Sequence, residues 1–149
     1  MIRQEDRDMK FGEDNMELKK SYKGFLLWML VFVVTMFGCS LLPIENGAIL
    51  TRMVMNVCVL NIVLLAFIIY KTEYVYWYNG TEYEQAVEAG SERRKEFAWK
   101  HLMRFGIFAL IYLAISMVAQ LVDIPYGVDI AVATVGLVIT AFSTNGIQL

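Results

Sequence analysis

Apolar positions fall into four long runs separated by one long polar stretch and two short turns. Residues 25–42 carry no charge over 18 positions, and residues 48–70 form a second run broken by Arg52, Asn56 and Asn61. Residues 105–122 form a third run of 18 uncharged positions. The fourth, residues 128–142, is weaker, because Asp129 sits at its start and only 13 residues, 130–142, are free of charge. About 20 apolar residues cross a bilayer as a helix, so the first three runs predict transmembrane helices. With Gly127, Ser143 and Thr144 included, the fourth reaches about 27 Å as a helix; a re-entrant segment is the alternative. Its Ala131, Ala133, Thr134, Gly136 and Ala141 suit burial between helices.

The punctuation between the runs is strong. Pro43 to Gly47 and Asp123 to Gly127 each combine Pro with Gly, which predicts two tight turns. The pattern therefore predicts an all-α integral membrane protein, with four transmembrane helices as two hairpins and a structured cytoplasmic loop. The divisions are a charged tail (1–24), a first hairpin (25–70), an aromatic and basic loop with a juxtamembrane helix (71–104), and a second hairpin with a short tail (105–149). Gly38, Cys39 and Ser40 form a small-residue patch suited to close helix approach.

Charge sets the expected orientation. Of 13 Lys and Arg, six precede the first run and six lie in residues 71–104; only Arg52 lies inside a run. Neither tight turn holds a base. The positive-inside rule places both termini and the loop in the cytoplasm, in a multi-pass membrane protein. The chain is 58% hydrophobic with mean hydropathy +0.50, above the roughly 45–50% apolar content of soluble chains. A formal net charge of −2 argues against a nucleic-acid partner. The two cysteines, Cys39 and Cys58, lie in different runs at depths about 10 Å apart, too far for a disulfide.

Within the loop, Tyr74 to Tyr78 reads as an extended aromatic segment, and Asn79-Gly80 as a turn. Thr81 with Glu84 fits a capping box for a helix over residues 82–89. Gly90 ends that helix as a left-handed cap. Ser91 then caps a second helix that continues into the third run, with Glu96 and Lys100 paired across one turn. Tyr74, Tyr76, Trp77, Tyr78, Tyr83, Arg93, Arg94 and Trp99 make a candidate docking surface, because aromatics and Arg dominate binding energetics. An interfacial aromatic belt is the plainer account of the same residues. His101 reads as an interfacial residue with its polar edge in water.

Inside the membrane, Arg52 and Asn56 share a helix face, and Tyr112, Ser116 and Gln120 repeat every fourth residue. Glu45, Asp123 and Asp129 lie at the same outer end. Turned inward, the stripes would pair Arg52 with one of those three acids, since a buried ion is tolerable only when paired. Arg52, Asn56, Ser116, Gln120, Asp123, Asp129 and Glu45 are the candidate polar pocket. No catalytic constellation, metal spacing or cofactor motif occurs, which points away from an enzyme. The expected role is a non-enzymatic subunit or adaptor docking a partner through the loop. The alternative is a small oligomeric transporter or channel with an outward-facing pocket around Arg52. The expected partners are the lipid bilayer and either a second copy or another membrane or cytoplasmic protein.

Overall fold

The computed structural model describes residues 18–78 and 80–149; the first 17 residues of the charged tail, and Asn79 of the expected turn, lie outside the described residues. Four helices result: α1 (Lys23–Ser40), α2 (Gly47–Thr72), α3 (Tyr83–Leu121) and α4 (Tyr126–Thr144). A 3₁₀ turn, Val75–Trp77, follows α2. All four helices are long and apolar enough to cross a membrane. The fourth run is one continuous helix of 19 residues, about 28 Å long, and shows no re-entrant break.

Local sequence explains where these helices start and stop. The Asn46 side chain accepts from the Ala48 and Ile49 amides at 3.0 and 3.2 Å, capping α2. At the other end Glu73 takes a left-handed conformation (φ 60°) that stops the helix. Helix α3 is bent at Gly90, whose φ 76° and ψ 166° lie in a region open to glycine rather than in the left-handed helical conformation expected of a cap. Its first cap is Glu82 rather than Thr81: the Glu82 amide donates to Gln85 Oε1 at 3.2 Å. Between α3 and α4, Asp123 also has positive φ (58°), and the Ile124 amide returns to the Ala119 carbonyl at 3.0 Å.

Helix α2 is the central element and packs on α1, α3, α4 and the 3₁₀ turn. Helix α1 is apolar on every side and exposes Leu26, Leu27, Leu30, Val34 and Phe37. That is the expected behaviour of a helix solvated by lipid rather than water. Its small-residue patch is only partly used: Cys39 is buried, while Gly38 and Ser40 are exposed. Cys39 and Cys58 are free thiols.

Two apolar clusters hold the bundle. One gathers Leu18, Ile69, Val75, Tyr76, Ala86, Phe97 and Ala98 at the end carrying residues 71–104, here called the loop end. The other joins Val59, Ala109, Tyr112 and Ala133 midway along α2, α3 and α4. In the second cluster, Gly136 lets α4 approach the Phe108 ring so closely that an added Cβ would overlap it. Gly136→Leu should therefore lower the thermal unfolding midpoint of detergent-purified protein. Overpacking costs typically about 1–3 kcal/mol, more than the roughly 1 kcal/mol of helix propensity that Leu recovers over Gly. Gly127→Leu, in the same helix with open space around it, is the control and should leave the midpoint unchanged or raise it slightly.

Candidate functional site

The polar stripes of α2 and α3 meet at the end opposite the loop. Arg52 is 5% exposed and Asp129 is 2% exposed. Arg52 Nε donates to Asp129 Oδ2 at 2.7 Å, and Nη1 donates to Gln120 Oε1 at 2.6 Å. Nη2 donates to the Ile124 carbonyl. One guanidinium thus ties α2 to α3, to the turn and to α4. The sequence offered three acids for this pairing, and the fold selects Asp129. Its place in the first turn of α4 turns the carboxylate inward, and a negative charge there also suits the helix N-terminus. Glu45 and Asp123 do not join the site; both are exposed in the turns.

The site is not fully satisfied. Asn56 Oδ1, Tyr112 OH and Asp129 Oδ1 are buried without a hydrogen-bond partner. Ser116 is buried on the same α3 face, one turn from Tyr112. A cavity of about 480 Å³ lies alongside, lined among others by Arg52, Asn56, Ser116 and Gln120. Of the residues expected in the polar pocket, four line this cavity and Asp129 anchors it from α4. The Ile124 carbonyl is the partner that side-chain chemistry could not reveal.

At the loop end most of the expected docking residues turn inward. Tyr74 to Tyr78 is not an extended segment; it coils into the 3₁₀ turn, which sets Tyr76 and Trp77 against residues 18–22. Tyr76, which is buried, accepts from the Ser21 amide at 2.8 Å and lies 2.9 Å from the Ser21 carbonyl, to which its hydroxyl donates. Trp77 Nε1 donates to that same carbonyl at 3.1 Å, and Tyr83 donates to the Leu18 carbonyl. Tyr22 and Tyr83 meet the Tyr76 ring edge-on at 5.5 and 5.4 Å. Residues 18–22 have no helix of their own, so these hydroxyl and indole groups satisfy backbone atoms that would otherwise lack partners.

Arg94 also departs from the surface expected of it. It is buried, and its Nε and Nη2 donate to Glu73 Oε2 at 3.1 and 2.9 Å. Its Nη1 donates to the Ala86 carbonyl at 3.0 Å. Ser91, expected as a helix cap, lies within α3 and donates to Glu73 Oε1 at 2.9 Å, and Lys95 lies 3.3 Å from the same oxygen. Burial pushes the Glu73 carboxyl up, but the bonds from Ser91, Arg94 and Lys95 outweigh it and hold the group below its ordinary value. Arg93 and Trp99 alone among the expected docking residues are exposed, while Tyr74, Trp77, Tyr78 and Tyr83 are half-buried. The expected Glu96–Lys100 pair forms at 2.7 Å on the outer face.

His101 is buried rather than at a wet edge. Its Nδ1 lies 2.9 Å from the Phe97 carbonyl, and its ring stacks on Tyr78 with centroids 4.3 Å apart. The signal for this was local: Phe97 stands one helical turn before it. Burial lowers the His101 pKa, the Phe97 carbonyl partly restores it, and the Arg104 charge lowers it further. Burial also pushes the Tyr78 phenol well up, so it stays protonated.

These shifts predict two pH windows. His101 resists protonation when folded, so stability present above its ordinary value of 6.5 is lost as pH falls from there through the lower folded value. Glu73 contributes stability above its ordinary 4.5, lost as pH falls through its depressed folded value. Thermal unfolding between pH 7.5 and pH 5.5 should show the first loss alone, and His101→Phe should flatten it. An unchanged slope in that variant would remove His101 as its cause.

Comparisons with protein-family models, with curated proteins and with solved structures return no match for this chain. Among the described residues no cluster of His, Cys, Asp or Glu could hold a metal ion.

Proposed function

We propose that this chain is a multi-pass membrane subunit without catalytic chemistry of its own, which presents a preorganised cytoplasmic module to a protein partner. The observation that carries the reading is the loop end. Its Glu73–Arg94 pair, its aromatic clasp on residues 18–22 and the bent first part of α3 make a built surface rather than a passive connection. The module stands where nine of the ten Lys and Arg among the described residues are found, which supports a cytoplasmic placement for it and for both termini. Two helical hairpins then anchor it in the bilayer. Val87, Arg93 and Trp99 are exposed on this part of α3 together with carboxylates such as Glu84, Glu88 and Glu92, a mixture of apolar area and charge suited to a protein partner.

The test is gentle purification from native membranes with chemical cross-linking and mass spectrometry. A stoichiometric second protein should cross-link through Lys95 or Lys100, and Val87→Glu with Arg93→Glu should abolish its recovery while membrane insertion holds. Recovery of the chain alone, or of a partner indifferent to that double change, overturns the reading.

The second reading is a small oligomeric solute pathway, favoured by the cavity beside Arg52 and the unpartnered oxygens of Asn56, Tyr112 and Asp129 near it. Asn56→Ala touches that cavity without breaking the Arg52 pair. It should reduce solute flux in proteoliposomes; equal flux with and without protein across a broad panel ends this reading.

A further inference from the structure

A second cavity, of about 480 Å³, lies at the loop end between α2, α3 and α4. One wall is apolar and comes from the membrane-facing part of the helices: Ile62 and Leu65 of α2, and Phe105 of α3. Its polar lining comes from Tyr78, His101 and Thr144. No charged side chain lines it among the described residues. An amphipathic cavity at the level where apolar helix gives way to polar segment matches the boundary between acyl chain and headgroup.

The polar wall has defined donors and acceptors. The Tyr78 hydroxyl is buried and unpartnered. His101 is 5% exposed, and its Nδ1 faces the Phe97 carbonyl. A carbonyl can only accept, so Nδ1 carries the hydrogen. In the neutral ring Nε2 is then an acceptor. The two rings are stacked, which fixes their polar atoms relative to each other. One donor beside one acceptor complements an alcohol, which both accepts and donates. A phosphate would need a cation, and Arg93 lines only the adjoining cavity, with Glu88 beside it.

We infer that this cavity binds an uncharged amphiphile with a free hydroxyl headgroup, of the diacylglycerol class, its hydroxyl between Tyr78 and His101 and its chain along Ile62, Leu65 and Phe105. A volume of this size is in the range of small-molecule sites. It takes the headgroup and the first part of a chain, the remainder lying in the bilayer. The inference rests on the membrane residence proposed above. Failure of that premise would show separately, as protein that stays soluble without detergent.

The probe is a photoactivatable dioleoylglycerol carried in phosphatidylcholine vesicles that hold the purified full chain. Labelling should be saturable and map to peptides containing Tyr78, His101 or Thr144. Unlabelled dioleoylglycerol should compete, and dioleoylphosphatidylglycerol should not. Tyr78→Phe keeps the ring and its stacking but removes the hydroxyl, and should weaken labelling about ten-fold, the loss of one hydrogen bond. Ala141→Phe, placed on the cavity wall from α4, should abolish it. Both variants are compared at equal yield and equal circular dichroism. Labelling that survives Ala141→Phe, spreads evenly over the lipid-facing helices, ignores Tyr78→Phe or yields to the phospholipid overturns the inference.

Discussion

Asp129→Leu should be the most damaging single substitution in the described bundle. It removes the carboxylate that lies 2.7 Å from Arg52 Nε and leaves the guanidinium buried with only Gln120 and the Ile124 carbonyl. Breaking a buried ion pair by deleting one partner costs about 3–5 kcal/mol. A domain's whole stability is about 5–15 kcal/mol, so the protein should express poorly and lose its cooperative thermal transition in detergent. Arg52→Met combined with Asp129→Leu removes both charges together. That double variant should recover most of the stability, since an ion pair and a well-packed apolar pair of similar volume are nearly equivalent. Thermal unfolding of the three proteins decides it. A single variant as stable as the parent would show that the pair is not holding the helices together.

The second large effect belongs to Arg94→Met. Glu73 would lose both bonds to its Oε2 and keep Ser91 and Lys95. The Lys95 side chain is half in solvent, and an exposed pair is worth only about 0–1 kcal/mol. The Ala86 carbonyl also loses its donor. The expected cost is again about 3 kcal/mol, the lower end for a broken buried pair, and it should be local. Amide exchange should quicken across residues 73–98 while the Arg52 end of the bundle keeps its protection. Arg94→Lys keeps the charge but lacks the planar fork that reaches Glu73 and Ala86 together, so it should rescue only part. Uniform exchange rates in the parent and Arg94→Met would refute this account of the module.

These two ion pairs mark where sequence reasoning succeeded and where it stopped. Arg52 was legible as a residue needing a partner, because a lone charge within an apolar run has a large desolvation cost. Asn56, Ser116 and Gln120 were legible as its neighbours through helical spacing. Arg94 was misread. It belongs to a run of three bases, 93–95, and such a run ordinarily reads as exposed, which put Arg94 on the candidate docking surface. Only the return of Glu73, 21 residues earlier, to the same spot distinguishes Arg94 from the exposed Arg93. The aromatic stretch was misread for a related reason. Composition measures how many rings are present, but not that residues 18–22 lie against them with backbone groups in need of partners.

By itself the sequence determined the elements with local causes. The apolar runs became the four helices, the breakers became their ends, and Gly90 bent α3 where a left-handed cap was expected. Periodicity assigned Arg52 and Asn56 to one face. Tertiary structure alone decided among partners that local rules treat alike. Glu45, Asp123 and Asp129 are equivalent in charge and near in depth, yet only Asp129 sits in a helical turn facing Arg52, 77 positions away. The same holds for Tyr76 and Ser21, 55 positions apart. Helix faces repeat over a few residues and can be read along the chain. Which faces meet depends on packing across the whole bundle, where one buried charge or hydroxyl finds the single neighbour that can satisfy it.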